Sequence, residues 1–374
     1  MKIIVCGDIC FNSINENKAC EGDVNTLFTN AVSLIKNADI SICNLECPLT
    51  DSNIKLQKSG PNLKASAQSV NVLSKVGFNI VSLANNHILD YGEIGVKDTI
   101  FACESKGIKT VGAANNFINA RKPCIVENNG LKIGFYSVAD NECASATEDS
   151  YGANGFDYCE TFDDVRKASE LCDALIVLYH TGLEHYQYQS PDLQKRCRKI
   201  ADCGAKAVIC QHSHCIGTFE EHNGSLILYG QGNFLFAKEG KDEKWNTALL
   251  LEFNIEKEGF SWRFLPSEIK DGHVELADDD KAKHILNELY RRSDEVENDT
   301  ALYAKWDEFN RNRIGMYWNV LMCWPRLIYI ANKLLNNRIV KLLVPKRKAI
   351  VVENIIRCES HRESLQYIIH HRYI

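Results

Sequence analysis

The chain has 374 residues, 45% hydrophobic and 25% charged, enough for one large domain or two and too apolar for a disordered polymer. Its net charge of −6 is uneven: from Ala301 onward there are 13 Lys and Arg against 5 Asp and Glu, which leaves the first 300 residues at about −14. An acidic main body argues against nucleic acid as the principal partner, and no apolar run is long enough to span a membrane.

Lys2-Ile3-Ile4-Val5-Cys6 reads at once as a buried strand, from which no signal peptide and a cytoplasmic location are expected. The 16 cysteines include no C-x-x-C pair, and several lie in apolar runs, as expected for reduced thiols. A helix is expected over 26–36, a strand over 40–43, a helix over 68–76 and a strand over 80–83. Asp90-Tyr91-Gly92-Glu93 has the form of a capping box, Asp90 at the N-cap and Glu93 at N3, opening a helix to about Lys106. Strands are expected over 131–138, 174–178 and 207–210, with a helix over 191–203. Stretches 225–229, 247–255 and 260–265 look like an antiparallel finish. Alternation of this kind predicts an α/β fold with a mixed sheet, or two packed sheets, flanked by helices. A change in composition near Gly272 suggests a first domain over 1–272 and a helical, basic extension over 273–374.

Asp8, Glu46, Asn86, His180, His212 and His214 each stand at or just past the end of a predicted strand, the edge where open α/β sheets gather their chemistry. Carboxylates, an amide and neutral imidazoles are the donors that divalent cations take at hydrolytic sites. Singly, each has a plain alternative: Asp8 as a turn former, Glu46 as a loop acid before Pro48, Asn86 in an Asx-turn with a solvated His87. His212 and His214, at i and i+2, are expected on one side of an extended backbone. His87, beside Asn86, suits an acid or base facing substrate.

Gly7-Asp8, Asn44-Leu45-Glu46-Cys47-Pro48, Ser82 through His87 with Asp90-Tyr91-Gly92, His180 through Glu184, Gln211 through His214 and Gly232-Asn233-Phe234 together resemble the capsule-synthesis CapA family, the poly-γ-glutamate PgsA type, within the calcineurin-like metallophosphoesterases. The resemblance covers residues 1 to about 255. It implies a four-layer α/β/β/α sandwich holding two divalent metal ions, manganese, iron or zinc. Glu46 would bridge them, Asp8 and His214 would hold one, and Asn86, His180 and His212 the other. His87 would be the general acid, and Asp90, in a matching motif, joins it as a candidate catalytic residue. Glu184, Gln194 and Asn233 match family positions without an assigned role. Two positions depart from the pattern. Cys10 stands where the superfamily has a histidine, as a thiolate ligand or as a lost one, and Gln211 replaces a glycine.

Three functions follow as expectations. One is metal-dependent hydrolysis of a phosphate mono- or diester linked to a cell-surface polymer. Another is a non-hydrolytic accessory role in poly-γ-glutamate or capsular polysaccharide synthesis or export. The third keeps the fold without catalysis, because of Cys10. The basic tail offers peripheral contact with the inner membrane surface or a biosynthetic enzyme, although Trp306, Trp318, Trp324 and the leucines around Leu334 and Leu343 favour packing onto the main domain. His370 and His371 are expected to be solvated.

Overall fold

The computed structural model describes residues 1–257, 259–335, 338–357, 361, 365 and 369. Its strands, in chain order, are β1 (Lys2–Ile9), β2 (Ile40–Leu45), β3 (Ile80–Ser82), β4 (Lys109–Val111), β5 (Ala113–Ala114), β6 (Cys124–Asn128), β7 (Leu131–Ala139), β8 (Gly152–Ala153), β9 (Ala174–Thr181), β10 (Ala205–His212), β11 (Phe219–His222), β12 (Ser225–Leu228), β13 (Asn233–Leu235), β14 (Thr247–Glu256), β15 (Gly259–Lys270) and β16 (His273–Leu276). One sheet runs β16-β15-β14-β1-β2-β3-β4, with β13 also pairing β1, and a second runs β11-β12-β10-β9-β7-β6. Strands β1 to β4 are mutually parallel, as are β7, β9, β10 and β12. Stretch 225–229, expected in an antiparallel finish, contains β12, which pairs antiparallel with β11 but parallel with β10 and belongs to the second sheet. The antiparallel part of the first sheet is β14 to β16.

Period-two alternation decides the layers. Along β1, Ile3 and Val5 point into an inter-sheet core that they share with Ile176, Leu178, Ala207 and Ile209 of the second sheet. Ile4 and Cys6 point the other way, against helix residues such as Leu27, Phe28, Ile35 and Val96. On the far side, Val177, Tyr179 and Val208 pack on Val165, Leu193, Cys197 and Ile200 of the helices Thr161–Ser169 and Pro191–Asp202. Three cores between four layers make an α/β/β/α sandwich. Each fully buried Val, Leu or Ile contributes roughly 1.5–3 kcal/mol relative to exposure.

Local chemistry moves two expected boundaries. The helix expected over 26–36 is two, Val24–Phe28 and Ala31–Lys36, broken at Thr29, whose φ is 35° and whose hydroxyl donates to Val274 O at 2.8 Å. That bond ties the break to β16. The domain boundary expected at 272 also moves, because β16 completes the first sheet and Ile285 and Leu289 of the helix Asp279–Asp294 join the inter-sheet core. The acidic run that suggested a boundary is the N-cap, Asp278, and first turn of that helix. The first compact unit is therefore Met1–Leu302 and the second Tyr303–Ile374. The second contains the helices Ile314–Leu321, Arg326–Leu334, Arg338–Leu343 and Lys346–Arg357. His370 and His371 lie outside the described residues.

Candidate metal centre

Parallel strands bring Asp8, near the end of β1, beside Asn44 of β2, two residues before Glu46. In the second sheet the pairing of β9 with β10 sets His180 opposite Gln211 and Thr181 opposite His212. Both strand ends open onto the same seam. Glycines make the approach close enough: a Cβ on Gly7 would lie 2.2 Å from Gly232 O, and Gly232 itself has φ of 82°. This lets β13 pair with β1, Asp8 opposite Asn233.

Glu46, His180 and His212 form one group whose potential ligand atoms lie within 4.8 Å of one another, and Asp8, Glu46 and His214 form a second. Asn86 joins the first group, its Oδ1 3.1 Å from His180 Nε2. His180 Nε2 is also 3.1 Å from His212 Nδ1 and 3.5 Å from Glu46 Oε1. His214 Nε2 lies 3.8 Å from the same Glu46 oxygen. Six of the seven residues named from the sequence as metal ligands therefore converge, and Glu46 belongs to both groups.

Cys10 is the exception. It is buried on the cavity wall, its thiol 3.8 Å from Phe11 O and interacting with Cys47, and it belongs to neither ligand group. The Cys47 thiol and burial push its pKa up. The paired histidines also differ from expectation. His212 and His214 have φ of 91° and 54°, so the backbone coils in left-handed conformations and aims the two rings at different groups. Asp90 is no cap either: the helix Gly92–Ser105 begins after Tyr91, without a side-chain cap. The Asp90 carboxylate instead takes His87 Nδ1 at 2.7 Å, accepts from Leu63 N at 2.6 Å and pairs with the buried Lys58 ammonium.

Two orienting residues carried little sequence signal. Asn44 donates to Asp8 Oδ1 at 2.7 Å and its Nδ2 is 3.2 Å from His180 Nδ1, tying the two sheets together. Asn233 Oδ1 takes His214 Nδ1 at 2.9 Å, turning Nε2 toward Glu46, while its own amide donates to Trp245 O. Glu142, half-exposed, stands 4.0 Å from His212 Nε2. Glu184 lines the cavity beside the centre, and Gln194 is buried in its helix.

Burial sets the electrostatics. It raises Asp8 to about 7, with the nearby Glu46 charge adding to the effect, and raises Glu46 to about 8. Burial likewise lowers His180 to about 4 and His212 to about 3, and holds His214 well below its usual range. The imidazoles are therefore neutral, with lone pairs to offer. Neither Glu46 oxygen has a hydrogen-bond partner among the described residues, an expensive state for a buried carboxylate. Neutral imidazoles around the unpartnered Glu46 carboxylate fit a bound cation, which would stabilise the ionised acids.

The family described as "Bacterial capsule synthesis protein PGA_cap" matches residues 2–238. This chain belongs to that family. Its relatives include the "Capsule biosynthesis protein CapA" of Bacillus anthracis, 26% identical over 295 residues, covering 75% of this chain and 70% of the relative. The "PGA biosynthesis protein CapA" of Bacillus subtilis (strain 168) is 26% identical over 298 residues, covering 77% of each. Among solved structures, a hypothetical protein from Thermus thermophilus is 14% identical with a TM-score of 0.45, over 74% of this chain and 99% of that one. A 5'-nucleotidase from Candida albicans is 12% identical with a TM-score of 0.42, over 78% and 57%. Likenesses at such TM-scores show nothing about this chain's chemistry. The match places it in a capsule-synthesis family, and among the described residues no helix is long and apolar enough to cross a membrane.

Proposed function

We propose that this family member is a phosphoesterase dependent on two divalent cations, manganese, iron or zinc, acting on a phosphate mono- or diester in the synthesis of an anionic cell-surface polymer. The observation that carries the reading is Glu46, a buried carboxylate shared by two ligand groups, with no hydrogen-bond partner to either oxygen among the described residues. Asp8 and His214 would hold one ion with Glu46, and Asn86, His180 and His212 the other. Bound there, the cations would neutralise charge on the phosphoryl oxygens and make water a competent nucleophile at neutral pH.

The chain's own residues supply the rest. His87 lines a cavity of about 740 Å³ that also reaches His214 and Glu184. Its Nδ1 is turned to Asp90, so Nε2 is the nitrogen left to deliver a proton to a leaving oxygen. Lys58, against Asp90 and 3.2 Å from Asn86 O, pins this corner of the site. On the opposite wall Lys238 and Lys241 lie over the Trp245 ring at 5.4 and 4.3 Å, with no ion pair among the described residues, and offer charge to an anionic substrate.

Manganese-dependent turnover of an aryl phosphodiester, abolished in Asp8→Ala and His212→Ala, is the expected result. Failure with manganese, iron, zinc and nickel alike would sink the hydrolase reading. A second reading, accessory binding without hydrolysis, is favoured by Cys10, which adds no donor where the superfamily resemblance places a histidine. Retained cations with tight binding of a polyanion and no turnover would select it.

A further inference from the structure

The second unit carries an apolar surface and a charge pattern that the proposed chemistry does not use. Between Glu308 and Glu353 the sequence has nine Lys and Arg and no Asp or Glu. Its helices leave their greasy residues outside. In Arg326–Leu334, Leu327 is 79% exposed, Ile330 44% and Leu334 79%, at i, i+3 and i+7, so they share one face. Arg326 and Lys333, both exposed, flank that face.

The pattern repeats along the unit. In Ile314–Leu321 the exposed Met316, Tyr317, Val320 and Leu321 follow the same helical spacing. In Arg338–Leu343, Leu342 is 81% exposed. Lys346–Arg357 opens with exposed Lys346, Arg347 and Lys348 and goes on to exposed Ile350 and Val351. The interior is small and mostly satisfied: Val340 is buried, and Val340 N donates to the buried Asn332 Oδ1 at 3.1 Å. Leu334 and Leu343 are exposed within the unit's own helices.

Several exposed apolar faces with basic rims, and no acidic residue before Glu353, are the signature of helices that lie in a lipid interface. None of them is long and apolar enough to cross a bilayer, which fits lying on one instead. A protein partner would be served by mixed charge at the rim, whereas a uniformly basic rim is complementary to a surface of a single negative sign. We infer that the helices of residues 314–357 dock on an anionic lipid surface, with Leu327, Ile330, Leu334 and Leu342 inserted among the acyl chains and Lys346, Arg347 and Lys348 at the phosphates. The catalytic unit would thereby work next to a bilayer.

Sedimentation of the full chain with vesicles tests this. Binding should be at least about tenfold stronger to phosphatidylcholine containing about one third phosphatidylglycerol than to phosphatidylcholine alone, and should weaken with salt. Changing Lys346, Arg347 and Lys348 together to Gln should weaken it about a hundredfold, at roughly fivefold per basic residue. Leu327→Gln with Leu334→Gln should weaken it at least about tenfold at any charge content, with circular dichroism checking that helicity is kept. Failure of the unmodified chain to bind anionic vesicles overturns the inference. So does binding indifferent to salt, or lipid-independent self-association that Leu327→Gln abolishes.

Discussion

Removing cations with a chelator should leave a protein that loses stability as pH rises through neutrality. Burial raises Asp8 to about 7 and Glu46 to about 8, from ordinary values of 3.8 and 4.5. Both shifts are upward, so the folded chain keeps protons that the unfolded chain has released, and stability falls with rising pH. The imidazoles act in the opposite sense: lowered to about 4 in His180 and about 3 in His212, they raise stability with pH, most steeply below their ordinary 6.5 and weakly just above it. Between pH 6.5 and 8 the carboxylates therefore outweigh the other ligands. At about 1.4 kcal/mol per pKa unit, the carboxylates lose roughly 2.5 kcal/mol across that window and the imidazoles return about half of it, a net loss of roughly 1 kcal/mol. For a unit of this size that is about 2 °C in Tm. Calorimetry in chelator should show the fall, and saturating manganese should remove it, because the cation binds the ionised carboxylates. Glu46→Gln should abolish the larger share, since Asp8 stops contributing near pH 7. A metal-free Tm that is flat or climbs from pH 6.5 to 8 would refute the reasoning, as would a full fall in Glu46→Gln.

Other outcomes follow from single contacts. Asn233→Leu removes the partner of His214 Nδ1 and should weaken one of two metal equivalents about 10- to 100-fold by calorimetric titration, sparing the other. Cys10→Ala should leave metal stoichiometry and affinity unchanged within about twofold, since the thiol belongs to neither ligand group; loss of an equivalent would make it a ligand after all. Asp90→Asn should lower kcat about a hundredfold with little change in KM, because His87 loses the carboxylate that orients it. Gly7→Ala drives a Cβ to 2.2 Å from Gly232 O, and should cost about 2–3 kcal/mol in denaturant unfolding along with the metal equivalent at Asp8.

The convergence of Asp8, Glu46, Asn86, His180, His212 and His214 was legible because each stands at or past the end of a buried parallel strand, and parallel strands of a sheet deliver their C-terminal residues to one edge. Two things stayed hidden. Asn44 and Asn233 are orienting amides whose roles depend on which atoms of another sheet face them, as when Asn44 spans Asp8 and His180. A one-dimensional pattern does not carry that distance. Asp90 misled because its spacing to Glu93 is that of a capping box, yet the buried Lys58 and His87 compete for the same carboxylate and win it. The boundary near 272 was misplaced for a related reason: composition changes there, but the hydrogen bonds of β15 to β16 continue across it. His212 and His214 were found by spacing while their left-handed backbone was not, since non-glycine residues in that conformation persist only where surrounding contacts hold them.

Asp8, Glu46 and Asn86 hang from one half of the sandwich, His180, His212 and His214 from the other. An ion gripped by both would act as a clasp on the seam as well as a reagent. Starved of cation, the two leaves would be held mainly by greasy contact and a few amide bridges such as Asn44, so scarcity of metal in the growth medium would be felt by this chain as looseness, and as exposure to proteases, besides lost turnover.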